Sequence, residues 1–287
     1  MLASNYLGQL GRLGNQMFQY AALRGIAARR GYDFGIPPSN FDDEWRSHQL
    51  FEVFELPHLP RQNIKYLDGG HAPVAHEPTF EFNQLLFDQC PNDISLWGFF
   101  QSEKYFKHIK ESLMEDFKFH NNILNPCKEL AETFDNPISL HVRRTDYLTN
   151  NANHHNLGLD YYEEALSHFD DDRQVVVFSD DPEWCYKEDI FSDDRFMVSE
   201  SEDNAIDLCL MTFCTDYIIA NSSFSWWGAW LSHNQNPTVI APKKWFGPNN
   251  QHKDTKDLLP PTWTIILWIK INQLINLRVL HPFIISN

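Results

Sequence analysis

From Pro137 onward, short apolar runs alternate with helical ones, and this alternation constrains the fold more than anything else in the chain. Ile138, Leu140 and Val142 share one face of a strand. A helix opens near Asp160 with Glu163 as its capping partner, and residues 174–179 are strand again. A helix over 205–214, a strand over 217–220, a helix over 224–231 and a strand over 238–241 complete the series. Strands alternating with helices give a parallel, doubly wound α/β sheet. Ligands of such sheets sit at the carboxyl ends of strands, which singles out the residues that follow Leu140, Ser179 and Ala220.

The chain ahead of this series is less regular. Met17, Tyr20, Ala21, Ile26 and Ala27 recur near helical spacing over 14–31, with Arg29 and Arg30 in the last turn, Gly31 as the stop and a glycine-rich turn over 8–14 in front. Residues 94–100 read as a strand. Ser102 then caps a helix carrying Tyr105, Phe106, Ile109, Leu113 and Phe117, which Asn125-Pro126 breaks. Residues 31–93 hold apolar pieces too short to assign. The expected division is an N-terminal domain, 1–136, a C-terminal Rossmann-like domain, 137–262, and an apolar, mildly basic tail, 263–287. The tail has no acidic residue, and Lys270, Asn272, Gln273 and Asn276 keep it short of the roughly 20 apolar residues that span a bilayer. It can lie on a membrane surface as an amphipathic helix, or pack on the domains or a partner subunit.

Composition removes several classes. The 287 residues carry 39 acidic against 23 basic side chains, a net charge of −16, which argues against nucleic acid as a partner. An apolar fraction of 43% is too rich for disorder. Five cysteines without a C-x-x-C pair suggest neither a zinc knuckle nor a disulfide framework, so a reducing compartment is expected. The first twenty residues resemble neither a secretory signal nor an anchor. The expected location is cytoplasmic, or peripheral at the inner face of the membrane.

Each strand end holds distinctive chemistry. His141, Arg143, Arg144 and Asp146 follow the first strand, and two guanidinium forks beside a carboxylate suit phosphate oxygens or form a surface ion pair. Asp180 and Asp181 end the next strand, placed to accept from a guanine edge, bind a metal or close an Asp-Pro turn. Asn221, Ser222, Ser223 and Phe224 lead into a tryptophan-rich helix whose first turn offers N–H groups and hydroxyls to an anion, or simply caps a buried helix. The loop holding Arg12, Asn15 and Gln16 is a further phosphate candidate, but it lacks both the G-x-G-x-x-G fingerprint and the Walker lysine. Asp170 and Asp172 form a D-x-D string that precedes a strand and reads as a solvated turn, so no metal is expected.

Taken in order, GRLGNQMFQYA (11–21), WGFFQSEKYF (97–106), HVRRTDY (141–147), FSDD (178–181) and NSSFSWWGAWL (221–231) resemble the α-1,2-fucosyltransferase family, bacterial type, over residues 8–245. The resemblance implies a GT-B fold of two Rossmann-like domains facing a cleft, GDP-β-L-fucose as donor, inversion at the anomeric carbon, no metal or other cofactor, and a galactose 2-hydroxyl as acceptor, in a cell-surface glycan such as O-antigen. It also implies that Arg143 meets the diphosphate and supports its departure, with His141, Arg144 and Asp146 shaping the same place. Asp180 would hold guanine, Ser222, Ser223 and Phe224 would line the phosphates beside Asn221, and Arg12, Asn15 and Gln16 would reach across from the N-terminal domain. Thr145 stands where the family usually has Gly, and polar residues 4–6 stand where a hydrophobic strand usually precedes the glycine loop. An α-1,6 or other fucosyltransferase with the same donor, and a non-catalytic GDP-sugar or glycan binder, are the competing readings. No general base follows; His154, His155, Asp146 and Glu103 are all candidates.

Overall fold

The computed structural model describes residues 1–39, 47–59 and 72–267. Two parallel sheets organise it. In the N-terminal half, β1 (Leu2–Ala3), β2 (Phe34–Gly35), β3 (Val74–His76) and β4 (Ile94–Trp97) form a four-stranded sheet in the order β2-β1-β4-β3. Its helices are α1 (Leu13–Arg30), α2 (Leu50–Val53), α3 (Gln84–Gln89), α4 (Lys110–Asp116) and α5 (Asn121–Ala131). In the C-terminal half, β5 (Ile138–Val142), β6 (Val175–Ser179), β7 (Phe196–Val198), β8 (Asp216–Ile218), β9 (Val239–Pro242) and β10 (Thr264–Ile266) form a sheet in the order β10-β9-β8-β5-β6-β7. Between them run α6 (Thr145–Thr149), α7 (Leu159–Leu166), α8 (Pro182–Cys185), α9 (Asn204–Thr212) and α10 (Ser223–Trp230).

The order reverses between β5 and β8, so their carboxyl ends open a crevice between neighbouring strands. Every residue of β5 is buried, as expected of a parallel strand covered on both faces. Ile138, Leu140 and Val142 pack with Val175, Val177, Tyr161, Tyr162 and Cys185 on one face. On the other face, Val176, Phe178, Tyr217 and Ile219 join α9 and α10, and this core runs without a break into Phe18, Leu23, Phe106 and Phe117 of the N-terminal half.

Trp226 and Trp227 lie at the join, fully buried. Phe18 packs 4.5 Å from Trp226, Phe106 stacks on Trp227 at 5.4 Å, and the Trp227 indole donates to the Gly14 carbonyl at 2.9 Å. The indole's one polar atom is thereby satisfied where water does not reach. In the N-terminal half, Asp116 is fully buried, pairs with Arg24, and accepts from Tyr20 at 2.8 Å and from the His58 amide at 3.1 Å. This network ties α1 to α4.

Several expectations need correction. Pro126 does not break a helix but lies inside α5, where Ile123 and Cys127, one turn apart, are buried against α9. That packing outweighs the lost hydrogen bond. Ser102 caps only a 3-10 turn, Glu103–Tyr105, and a second 3-10 turn, Lys107–Ile109, follows from Phe106 without a side-chain cap before α4 begins. Glu163 caps nothing, since Gly158 stands at the N-cap of α7 without a side-chain bond. Residues 264–266, expected in the tail, form the outer strand of the C-terminal sheet, in register with Ile240–Pro242 of β9. The rest of the tail, 268–287, lies outside the described residues. The strand before the glycine loop is present as β1, reduced to two residues, yet it is central in its sheet between β2 and β4. Among the described residues no helix is long and apolar enough to cross a membrane.

Candidate active site

A cleft of about 430 Å³ opens at the β5/β8 switch point, walled on the far side by the loop that enters α1. Of the residues expected from the sequence, Arg12, Asn15, His141, Arg143, Asp146 and Asp180 line it, as do Ser222, Ser223 and Phe224.

Two helix N-termini converge here. No side chain caps the first turn of α1, whose N-cap is Arg12, while α10 starts from Ser222, whose hydroxyl accepts from the Phe224 amide at 3.3 Å. A Cβ at Gly14 would fall 2.7 Å from the Phe224 nitrogen, so the two first turns touch backbone to backbone and require glycine at that position. Gly11 turns the chain into α1 with φ +85°. The positive ends of both dipoles, with Arg12 and Arg143, are the groups of this cleft that suit an anion, beside the carboxylates of Asp146, Asp180, Glu202 and Asp207.

Arg143 leaves the end of β5 between two carboxylates, with Nη2 at 2.6 Å from Asp146 and Nη1 at 3.2 Å from Asp180. Arg143 also lines the cleft, where a planar guanidinium suits an anion. Asp180 also accepts from the amides of Arg144 at 2.8 Å and Thr145 at 3.1 Å, and from the Thr145 hydroxyl. Burial opposes its charge, but Thr145, Arg143 and the Arg144 amide hold the carboxyl below the usual carboxylate range. Both of its oxygens are therefore spent on fixing the β5–α6 turn and the arginine. His141 is buried with Nδ1 2.8 Å from Ser225 Oγ, and burial together with Arg143 pushes it down to about 3, so it stays neutral.

Three expected residues are not on the wall. The Arg144 guanidinium stacks on Trp184 at 3.9 Å and pairs with Asp181 at 3.3 Å. Gln16 is buried, accepting from the Gln49 amide at 3.0 Å and donating to Gly11. Asn221 is buried and donates to the carbonyls of His155 and Trp245, at 2.8 and 2.7 Å, holding two loops behind the cleft.

The wall also includes side chains that the motif reading left unassigned to the donor site. Tyr147 stacks on His154 with centroids 4.2 Å apart and planes at 11°, and its hydroxyl donates to the Asn221 carbonyl at 2.9 Å. On the β7 side stand Ser201, Glu202, Asn204 and Asp207. Asp207 accepts from the Ser199 hydroxyl at 2.6 Å, and burial pushes its carboxyl up to about 6. A lone carboxylate within the apolar run AIDLCLMT (205–212) was the sequence signal for it. Among the described residues, no group of three or more His, Cys, Asp or Glu is placed to hold a metal ion.

The glycosyl transferase family 11 profile matches residues 81–267. The O-antigen biosynthesis glycosyltransferase WbnK of Escherichia coli is 31% identical over 292 aligned residues, covering 86% of this chain and 96% of WbnK. An α-1,2-colitosyltransferase of Escherichia coli is 32% identical over 288 residues, covering 89% of this chain and 96% of that protein. Among solved structures, NodZ α-1,6-fucosyltransferase soaked with GDP-fucose superposes with a TM-score of 0.52 at 15% identity, across 88% of this chain and 96% of NodZ. The architecture is therefore GT-B-like, two parallel-sheet halves facing a cleft. With a profile match over more than half its length and relatives above 30% identity, the chain belongs to glycosyl transferase family 11, and is a glycosyltransferase related to the α-1,2-fucosyl- and colitosyltransferases.

Proposed function

We propose that the protein transfers L-fucose from GDP-β-L-fucose to the 2-hydroxyl of a galactoside in a cell-surface glycan such as O-antigen, with inversion and without a metal. The observation that carries this reading is the convergence of Arg12, Arg143 and the first turns of α1 and α10 on one cleft. A leaving diphosphate develops negative charge, and preorganised cations and helix ends stabilise it where a metal would otherwise be needed. Asp207 faces the β7 end of the same cleft, where a carboxylate can accept from the adjacent N1–H and N2–H groups of guanine. The α-1,2 linkage is supported by the name of the colitosyltransferase relative.

The test is mass spectrometry and NMR on a reaction of GDP-fucose and lactose with excess chelator. One added fucose, α-linked to galactose O2, is the expected product. Product only when Mn²⁺ is supplied sinks the metal-free claim, and a different linkage sinks the regiochemistry. The colitosyltransferase relative also favours a second reading, with GDP-colitose, which lacks one hydroxyl of fucose, as donor. A site that hydrogen-bonds that hydroxyl rejects the deoxy sugar strongly, whereas an apolar one discriminates weakly. Comparing kcat/KM for the two donors decides between them.

A further inference from the structure

We propose that His154 is the general base of the transfer, taking the proton from the acceptor hydroxyl as it attacks. The inference rests on the functional reading above and on the order of the strands. Arg143 follows β5, in the middle of the sheet; Ser201, Glu202 and Asp207 follow β7, to one side. His154 is on the other side, in a backbone bridge with Phe246, which follows β9. With the diphosphate at Arg143 and the purine at Asp207, the sugar extends past the arginine toward His154. Phe80 of the N-terminal half packs 5.0 Å from Phe246, so both halves meet at this end.

The other titratable groups on the wall are committed elsewhere. Asp146 and Asp180 hold Arg143, His141 is buried on Ser225, and Glu202 and Asp207 stand at the purine end. His154 has no such commitment: among the described residues its ring makes a stacking contact with Tyr147 and shows no hydrogen bond. That stack fixes the ring plane, because Tyr147 is itself anchored to the Asn221 carbonyl. The charged groups facing the imidazole are Asp146, Arg143 and Lys253; burial, with Arg143 and Lys253, outweighs Asp146 and holds its pKa below the usual histidine value. Tyr147, raised to about 12 by burial, stays neutral beside it. His154 is therefore an unprotonated base at neutral pH.

The step balances. The acceptor O–H proton passes to an imidazole nitrogen, and the oxygen lone pair forms the bond to the fucosyl anomeric carbon. The bond from that carbon to the β-phosphate oxygen breaks and its electron pair leaves with GDP; the imidazolium then releases its proton to water.

The experiment compares wild type with His154→Gln and His154→Ala, measuring kcat at saturating substrates against pH, GDP affinity, and turnover with added imidazole. The expected result is a kcat loss of about 10²- to 10⁴-fold in both variants, with GDP affinity unchanged. The acidic limb of the wild-type kcat profile should be absent from both, and imidazole should restore part of the activity of His154→Ala. Near-normal kcat, or an acidic limb that persists in the variants, overturns the assignment. Loss of GDP binding together with kcat, without imidazole rescue, also overturns it, since it marks a structural role. A wild-type protein that neither binds GDP nor forms a glycoside overturns the functional reading, and the base falls with it.

Discussion

Arg143 is held in place before any substrate arrives. Asp146 and Asp180 fix the guanidinium from two directions, so little reorganisation is needed when charge develops on a departing phosphate. Arg143→Ala is expected to lower kcat by more than about 10²-fold with the fold intact, the loss of a contact of about 2.7–4 kcal/mol; steady-state kinetics and circular dichroism check it. Asp207 gives a pH signature. Its folded pKa of about 6 lies above the unfolded carboxylate value near 3.9, so the folded protein holds the proton between them and loses that stabilisation as pH rises through the window. Guanine donors require the ionised form, so GDP affinity should fall as pH drops below about 6, and Asp207→Asn should bind more weakly and without that dependence. Calorimetric titration on either side of that pH decides it. The motifs revealed residue types but not side-chain directions: Arg143 and Arg144 are adjacent, yet one enters the cleft and the other turns back onto Trp184. Asp207 escaped notice because its identity as a wall residue depends on how α9 is rotated against the sheet.

The helix α10 has two duties. Its first turn faces the cleft, and the tryptophans that follow are buried in the shared core. Gly14→Ala tests their coupling, since the added methyl meets the α10 backbone and must push α1 away. Overpacking of this kind costs about 1–3 kcal/mol, and here it should also weaken GDP binding, because the two N-termini separate; thermal melts and GDP titration on the same variant measure both. Elements such as α9, α10, β5 and β6 were legible because apolar runs bounded by turns fix their kind. The two-residue strands β1 and β2 carry too few residues for any period, and β7 and β10 are three-residue strands at the sheet edges, with exposed positions in each. The proline in α5 misled because only the packing of Ile123 and Cys127 on α9 shows why the helix continues.

Although the chain folds around two sheets, its larger core belongs to both. Calorimetry should therefore show a single unfolding transition, not two, and GDP should shift the whole transition upward by linkage. Two separate transitions would mean that the halves fold independently. The carbonyl of Gly14 bonded to the Trp227 indole, and the first turn of α1 seated on that of α10, leave the halves little freedom to rock against each other. Halves joined in this way cannot expel solvent by closing on each other. If the proposed reading holds, the space beside His154 stays open to water until an acceptor sugar fills it. Slow hydrolysis of the nucleotide sugar when no acceptor is present is the expected leak of so rigid a jaw.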